Sequence, residues 1–230
     1  MTGLVMTMIL FFYLWAKYPD VHITFVTGKI SALTIGILFI ITYAILILMV
    51  VSAKLFAIKK KYTASYSGWF NGLLIGFVIT FASYGFVPVA FPGIIEITAI
   101  ERLRYGKPLP YENNKHIFRT LMTGLTTVFI LALVFKQLHA ISGSIIFEGA
   151  KDIAALILLF GILPFPNNFG SHMFYTNRKS YFIFSFISIV FALGVLLNSS
   201  FALIIGLVGG ALLWLLFSKY WGALILPEKK

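Results

Sequence analysis

From Ile30 to Ser52 the chain runs twenty-three residues without a charged side chain, rich in Ile and Leu. A helix of that length rises about 35 Å, enough to cross the roughly 30 Å of hydrocarbon in a bilayer. Further apolar runs cover residues 2–16, 69–90, 117–138, 150–165, 181–199 and 201–219. The first and the 150–165 run are short for a crossing. The 69–90 run is interrupted by Gly72, Gly76, Gly85 and Pro88 and is followed by Pro92-Gly93. A chain of 230 residues cannot hide so many apolar segments behind one another, so lipid is the solvent they imply. Composition agrees: 60% of residues are apolar and 11% charged, against about 45–50% and about 25% in a soluble domain. A soluble enzyme and a disordered chain are excluded, and the absence of cysteine excludes a disulfide-built secreted domain.

The net charge of +11 is read as topology, because Lys and Arg collect on the cytoplasmic face of a membrane protein. With seven crossings, Lys54, Lys59, Lys60 and Lys61 face away from Arg102, Arg104, Lys107, Lys115 and Arg119, and basic residues divide twelve to six. If 69–90 dips in and returns, the division becomes fourteen to four. Glycine and proline break a straight helix, and irregular backbone at membrane depth survives where protein buries it. The expected architecture is an all-α polytopic membrane protein of six transmembrane helices plus one re-entrant segment, with both termini cytoplasmic. Residues 1–230 form a single integral membrane domain. Residues 2–16 have no basic leader and no small-x-small cleavage site, so they are expected to stay as a first helix.

The most specific string is Phe160-Gly161-Ile162-Leu163-Pro164-Phe165-Pro166-Asn167-Asn168-Phe169-Gly170-Ser171. It resembles the late motif of the site-2 protease family, the intramembrane zinc metalloproteases, whose pattern is roughly F-N-L-L-P-x-P-P-x-D-G-S with the aspartate as a zinc ligand. Phe160, Leu163, Pro164, Pro166, Gly170 and Ser171 match. Met173-Phe174-Tyr175 followed by Asn177-Arg178 looks like archaeal members. Upstream, Ala53-Lys54-Leu55-Phe56-Ala57-Ile58-Lys59 resembles the tail that follows the family's H-E-x-x-H. A glycine-rich apolar stretch and Pro92-Gly93 then come in the family's order. The resemblance spans residues 30–190, with 1–29 as an additional N-terminal helix and 181–219 as a C-terminal helix pair.

Two departures decide what the resemblance implies for chemistry. The H-E-x-x-H slot falls on Met49-Val50-Val51-Ser52-Ala53, and Phe169 stands at the aspartate. A catalytic zinc needs three protein ligands, an open position for water and a general base. Met49, Val50, Ala53 and Phe169 supply none of these. The resemblance therefore implies a site-2-protease-like core without metal, cofactor or proteolysis. What remains is a membrane-embedded groove lined by Pro164, Pro166, Asn167, Asn168, Phe169, Gly170 and Ser171, with Pro92 and Gly93 on the wall opposite. An accessory subunit, scaffold or adaptor of a membrane complex is the expected role, with other membrane subunits and lipids as partners. The cell membrane implied is prokaryotic and archaeal-like.

Other residues carry weaker signals. His22, His116, His139 and His172 show no pair at ligand spacing; His172, in the motif, would be the first suspect for an unforeseen metal site. Glu148 and Asp152 share a helix face. They read either as a cation guide or, preferentially, as acids at a helix N-terminus, with Lys151 beside them at the outer interface. Glu96 and Glu101 lie five apart, on different sides of a helix, which argues against an acid–base pair. Lys59, Lys60, Lys61, Trp69, Arg102 and Arg104 read as interface anchors that meet lipid head groups. Nucleic-acid binding would need a folded basic domain, which the sequence lacks. Gly206 and Gly210 have the spacing of a close helix contact. Asn198-Ser199-Ser200 fits a glycosylation site in too tight a turn. A small transporter, using the broken segment and the Pro164 helix end, is the alternative from another class.

Overall fold

A backbone out of water must satisfy its own N–H and C=O groups, and long proline-free runs do so as helices. The computed structural model describes residues 32–99 and 114–197, with isolated positions toward both ends; of these, Val5, Met8, Ile9, Tyr13, Ile204, Val208, Gly209, Ala211, Leu212 and Leu215 are helical. Three helices are long and apolar enough to cross a membrane: α1 (Ala32–Lys59), α3 (Asn114–Ser142) and α6 (Arg178–Leu196). A fourth, α4 (Ile145–Ile162), carries Glu148, Lys151 and Asp152 near its start and lies between them.

In α1 the buried stripe is Thr42, Ile45, Met49, Ala53 and Ala57, at steps of three and four that keep to one face. Ile40, Ile47, Leu55 and Ile58 are exposed elsewhere on the same helix. The helix is thus apolar on far more surface than the protein covers. Its hydroxyls turn back on the backbone: Thr42 Oγ1 donates to Leu38 O at 2.8 Å and Ser52 Oγ to Met49 O at 2.9 Å. Lys61, at a positive φ of 64°, turns the chain away.

Two strands follow, and they correct the all-helical expectation. β1 (Tyr62–Ser67) and β2 (Ile94–Ala99) pair antiparallel, with Tyr62 opposite Ala99 and Ser67 opposite Ile94. Tyr, Thr and Ile favour a pleated surface, and the Thr63 and Thr98 hydroxyls meet across the ribbon at 2.5 Å. Between the strands the chain makes a round trip. α2 (Phe70–Ala82) has thirteen residues, about 20 Å of rise, and ends in a turn at Tyr84 and Gly85. Residues 88–93 come back beside it. Thr80 Oγ1 donates to Gly76 O at 2.7 Å and accepts from Val89 N at 3.0 Å. A Cβ on Gly76 would fall on Val89 O. Because Ser67 and Ile94 are paired, the excursion begins and ends at one level.

α3 and α4 are joined by Gly143, at φ 63°, and by Ser144, whose hydroxyl accepts from Ile146 N at 3.3 Å. Every residue from Gly149 to Leu158 of α4 is buried, as expected of a helix surrounded by others. α3 and α6 meet at Phe129 and Phe191, ring centroids 4.1 Å apart. A short helix, α5 (Phe169–Thr176), links α4 to α6. The Tyr62 and His116 rings lie 6.1 Å apart, which brings the end of α1 to the start of α3. Lys54, Lys59, Lys60, Lys61, Lys115, Arg119, Arg178 and Lys179 thereby gather toward one end of the bundle; of the described basic residues only Lys136 and Lys151 lie toward the other.

Candidate functional site

Met49 and Ala53 stand one turn apart on the inner face of α1, both fully buried. Across from them α3 presents Gly124. A Cβ built there would lie 3.2 Å from Met49 O, 3.4 Å from Ala53 Cβ and 3.3 Å from Cε1 of Phe169. Phe169 opens α5 and is fully buried. Three positions that the sequence singled out in two distant segments therefore converge on one point, where Gly124 lets the helices close. Val50 is only partly buried. The side chains of the cluster are apolar and include no imidazole, carboxylate or thiolate of the kind that holds zinc.

The string after α4 folds into a tight return. Leu163 ends the helix, and Phe165 N donates to Leu163 O at 2.8 Å across Pro164. Asn167 takes a left-handed φ of 51°, which Asn tolerates better than most residues. Asn168 is buried, and its Nδ2 donates to Phe160 O at 2.5 Å and Leu163 O at 3.1 Å. Tyr181 Oη donates to Ile162 O at 2.8 Å. These bonds occupy carbonyls that the end of a helix leaves without partners. A Cβ on Gly170 would fall on the Ile162 and Leu163 oxygens, so only glycine admits α5 this close. Ser171 Oγ donates to Asn168 O at 2.8 Å.

Pro164, Phe165, Pro166 and Asn167 are exposed, whereas Asn168, Phe169, Gly170 and Ser171 are buried. Of the residues expected to line a groove, Pro164, Pro166 and Asn167 are open and the others are packed inside. Pro92 and Gly93 are buried against the same region. Tyr66 Oη donates to Pro92 O. The Phe91 ring meets Phe165 at 4.9 Å, Trp69 at 5.3 Å and Phe160 at 5.9 Å. A Cβ on Gly161 would lie 3.0 Å from Leu125 Cδ2 and 3.3 Å from Pro92 Cγ. An asparagine side chain at Gly161 would have no room without movement of both.

His172 is exposed on α5. Partial desolvation lowers the pKa of its imidazole, with Glu96 pulling the other way. His139 Nδ1 lies 3.1 Å from Ser144 O at the α3–α4 turn, and His116 faces Tyr62 at the other end. Among the described residues no three His, Cys, Asp or Glu side chains could hold one metal ion. Lys59, Lys60 and Lys61 are exposed and Trp69 is half-buried. His22, Glu101, Arg102, Arg104, Asn198, Gly206 and Gly210 lie outside the described residues.

One reading needs correction. Lys151 and Asp152 are 1% and 0% exposed, not at an open interface, and neither lacks a partner. Tyr13, from the N-terminal run, lies within electrostatic reach of Asp152 and Glu148. Tyr66 reads in the sequence as an aromatic interface anchor and Tyr181 as the start of an apolar run; neither pattern marks the bond that each makes to the motif region. No protein-family model, curated protein or solved structure matches the chain.

Proposed function

We propose that this chain is a multi-pass membrane protein with a site-2-protease-like core emptied of its metal chemistry, serving as an accessory subunit, scaffold or adaptor in a membrane complex. The convergence of Met49, Ala53 and Phe169 on Gly124 carries this reading. Their counterparts in the family would be ligands of one ion, and such positions have to lie together. The round trip through α2 supports a segment that dips into the bilayer and returns, beside six crossings. Leu74, Ile75, Val78 and Phe81 of α2 and Phe86 at its tip are exposed, an apolar surface suited to lipid or to a helix of another subunit. The gathering of basic residues supports a cytoplasmic placement of the ribbon, the motif and both termini.

Metal analysis of the purified chain tests the loss of chemistry. Zinc well below one ion per chain is expected, and a stoichiometric, tightly held ion would overturn it. Purification in mild detergent tests the role. Recovery in a defined complex with other membrane subunits is expected, and a chain always recovered alone counts against it. The buried Lys151 and Asp152 favour a second reading, a small carrier, because ionisable groups inside a membrane often serve transport. Ion or solute flux into liposomes holding this chain alone, lost in Asp152→Asn, would establish that one instead.

A further inference from the structure

α3 and α6 touch at Phe129 and Phe191 but part toward the basic end of the bundle, leaving a cleft of about 480 Å³. Its two walls follow one pattern. α3 contributes Lys115, Phe118, Arg119 and Met122; α6 contributes Ser180, Ile183, Phe184 and Ile187, with Asn177 at the mouth. Each set of four is spaced i, i+3, i+4 and i+7, a single helix face. Polarity changes along it. Lys115, Asn177 and Ser180 come first on their helices, Arg119 follows one turn in, and Phe118, Met122, Ile183, Phe184 and Ile187 form apolar walls about 6 Å long. The volume is that of a small-molecule site.

The geometry points to this cleft as a binding site for one anionic phospholipid. Lys115 and Arg119 hold the phosphate, Asn177 and Ser180 meet the glycerol and ester oxygens, and an acyl chain lies along Phe118, Met122 and Ile183. A soluble phosphate would use the mouth and leave the apolar walls empty, whereas a phospholipid matches both parts. Basic clefts between crossing helices on the cytoplasmic side suit such head groups. The site rests on the reading that α3 and α6 cross the bilayer.

The test uses the full chain purified from membranes in nonionic detergent. Native mass spectrometry follows binding of phosphatidylglycerol and of phosphatidylcholine with identical acyl chains. The unaltered chain is expected to prefer phosphatidylglycerol roughly twenty-five-fold at low salt, about fivefold for each basic side chain. Lys115→Gln with Arg119→Gln should abolish the preference, weakening phosphatidylglycerol far more than phosphatidylcholine, whose phosphate is already offset by its own choline cation. Ile183→Trp, which fills the apolar part, should weaken both lipids. Lys59→Gln with Lys60→Gln should retain the preference. Equal binding of the two lipids, an undiminished preference in the Lys115/Arg119 variant, or displacement of the lipid by an equal concentration of glycerol phosphate overturns the proposal. A chain that needs detergent but shows no preference sinks the cleft alone; a chain recovered from the soluble fraction sinks the membrane reading as well.

Discussion

The carbonyls of Phe160, Ile162 and Leu163 mark where α4 ends, and two residues of the motif meet them in different ways. Asn168 donates to two of them from a buried position. In Asn168→Ala the Phe160 carbonyl loses this donor, while Leu163 O keeps the Phe165 N–H, at about 1–3 kcal/mol for a buried unsatisfied group. Asn168→Asp should cost more at neutral pH, because a carboxylate has no proton to donate and adds a buried charge. Its protonated form regains one donor, so stability in that variant should recover as pH falls through the carboxyl titration; thermal melts across pH would show it. Gly170 acts through the side chain it lacks. Gly170→Ala drives a methyl onto two backbone oxygens and should cost more than about 3 kcal/mol, above the usual range for overpacking. Gly143→Ala, with open space around the added carbon, should cost only the 1–2 kcal/mol of a left-handed backbone. If the two alanine variants melt alike, the close approach of α5 to α4 is wrong.

At the scale of elements, the ribbon decides how the broken apolar segment is used. The chain has no cysteine, so introduced thiols report without background. Thr63→Cys with Thr98→Cys should form a disulfide under mild oxidation, since these residues are register partners and paired strand positions fall within bridging distance. In membranes, single cysteines at Thr63, Thr98 and Lys59 should take an impermeant maleimide from one side and a cysteine at Gly143 from the other. Labelling of Thr63 and Thr98 from opposite sides would turn the excursion into a crossing. The long helices were legible because a run such as 30–52 has no other way to satisfy its backbone. The strands were not: each is six residues long, and the partner that makes Tyr62–Ser67 a strand lies about thirty residues further on. Lys151 and Asp152 were misplaced for a related reason. Their burial depends on groups far away along the chain, Tyr13 among those near Asp152, which local pattern does not encode.

At the scale of the whole molecule, α1, α3 and α5 meet where the family resemblance would put a metal. The i, i+4 placement of Met49 and Ala53 was legible from helical periodicity; Gly124, which closes the space between them and Phe169, was not, because nothing in its own sequence context marks it. Introducing donors at these positions tests the convergence. Met49→His, Ala53→His and Phe169→Asp together, with Val50→Glu as the base, should bind about one zinc per chain, the three ligands sufficing for a four-coordinate site with water. Omitting Phe169→Asp should lose most of that affinity. A full set that binds no zinc while melting cooperatively would separate the three positions.

The charged start of α4 also bears on biogenesis. Asp and Lys near the centre of a segment oppose release into lipid by about 2.5–3.5 kcal/mol each on insertion scales, and α4 carries Glu148, Lys151 and Asp152 within its first eight residues. A nascent α4 is therefore a poor candidate to partition by itself. Joined to α3 by the turn at Gly143, it can be drawn in as one arm of a hairpin, its ionised groups shielded by helices synthesised earlier. On the proposed membrane reading the order of synthesis becomes part of the folding code: α1 and α3 are long and apolar enough to enter a bilayer by themselves, and α4 would enter only in company.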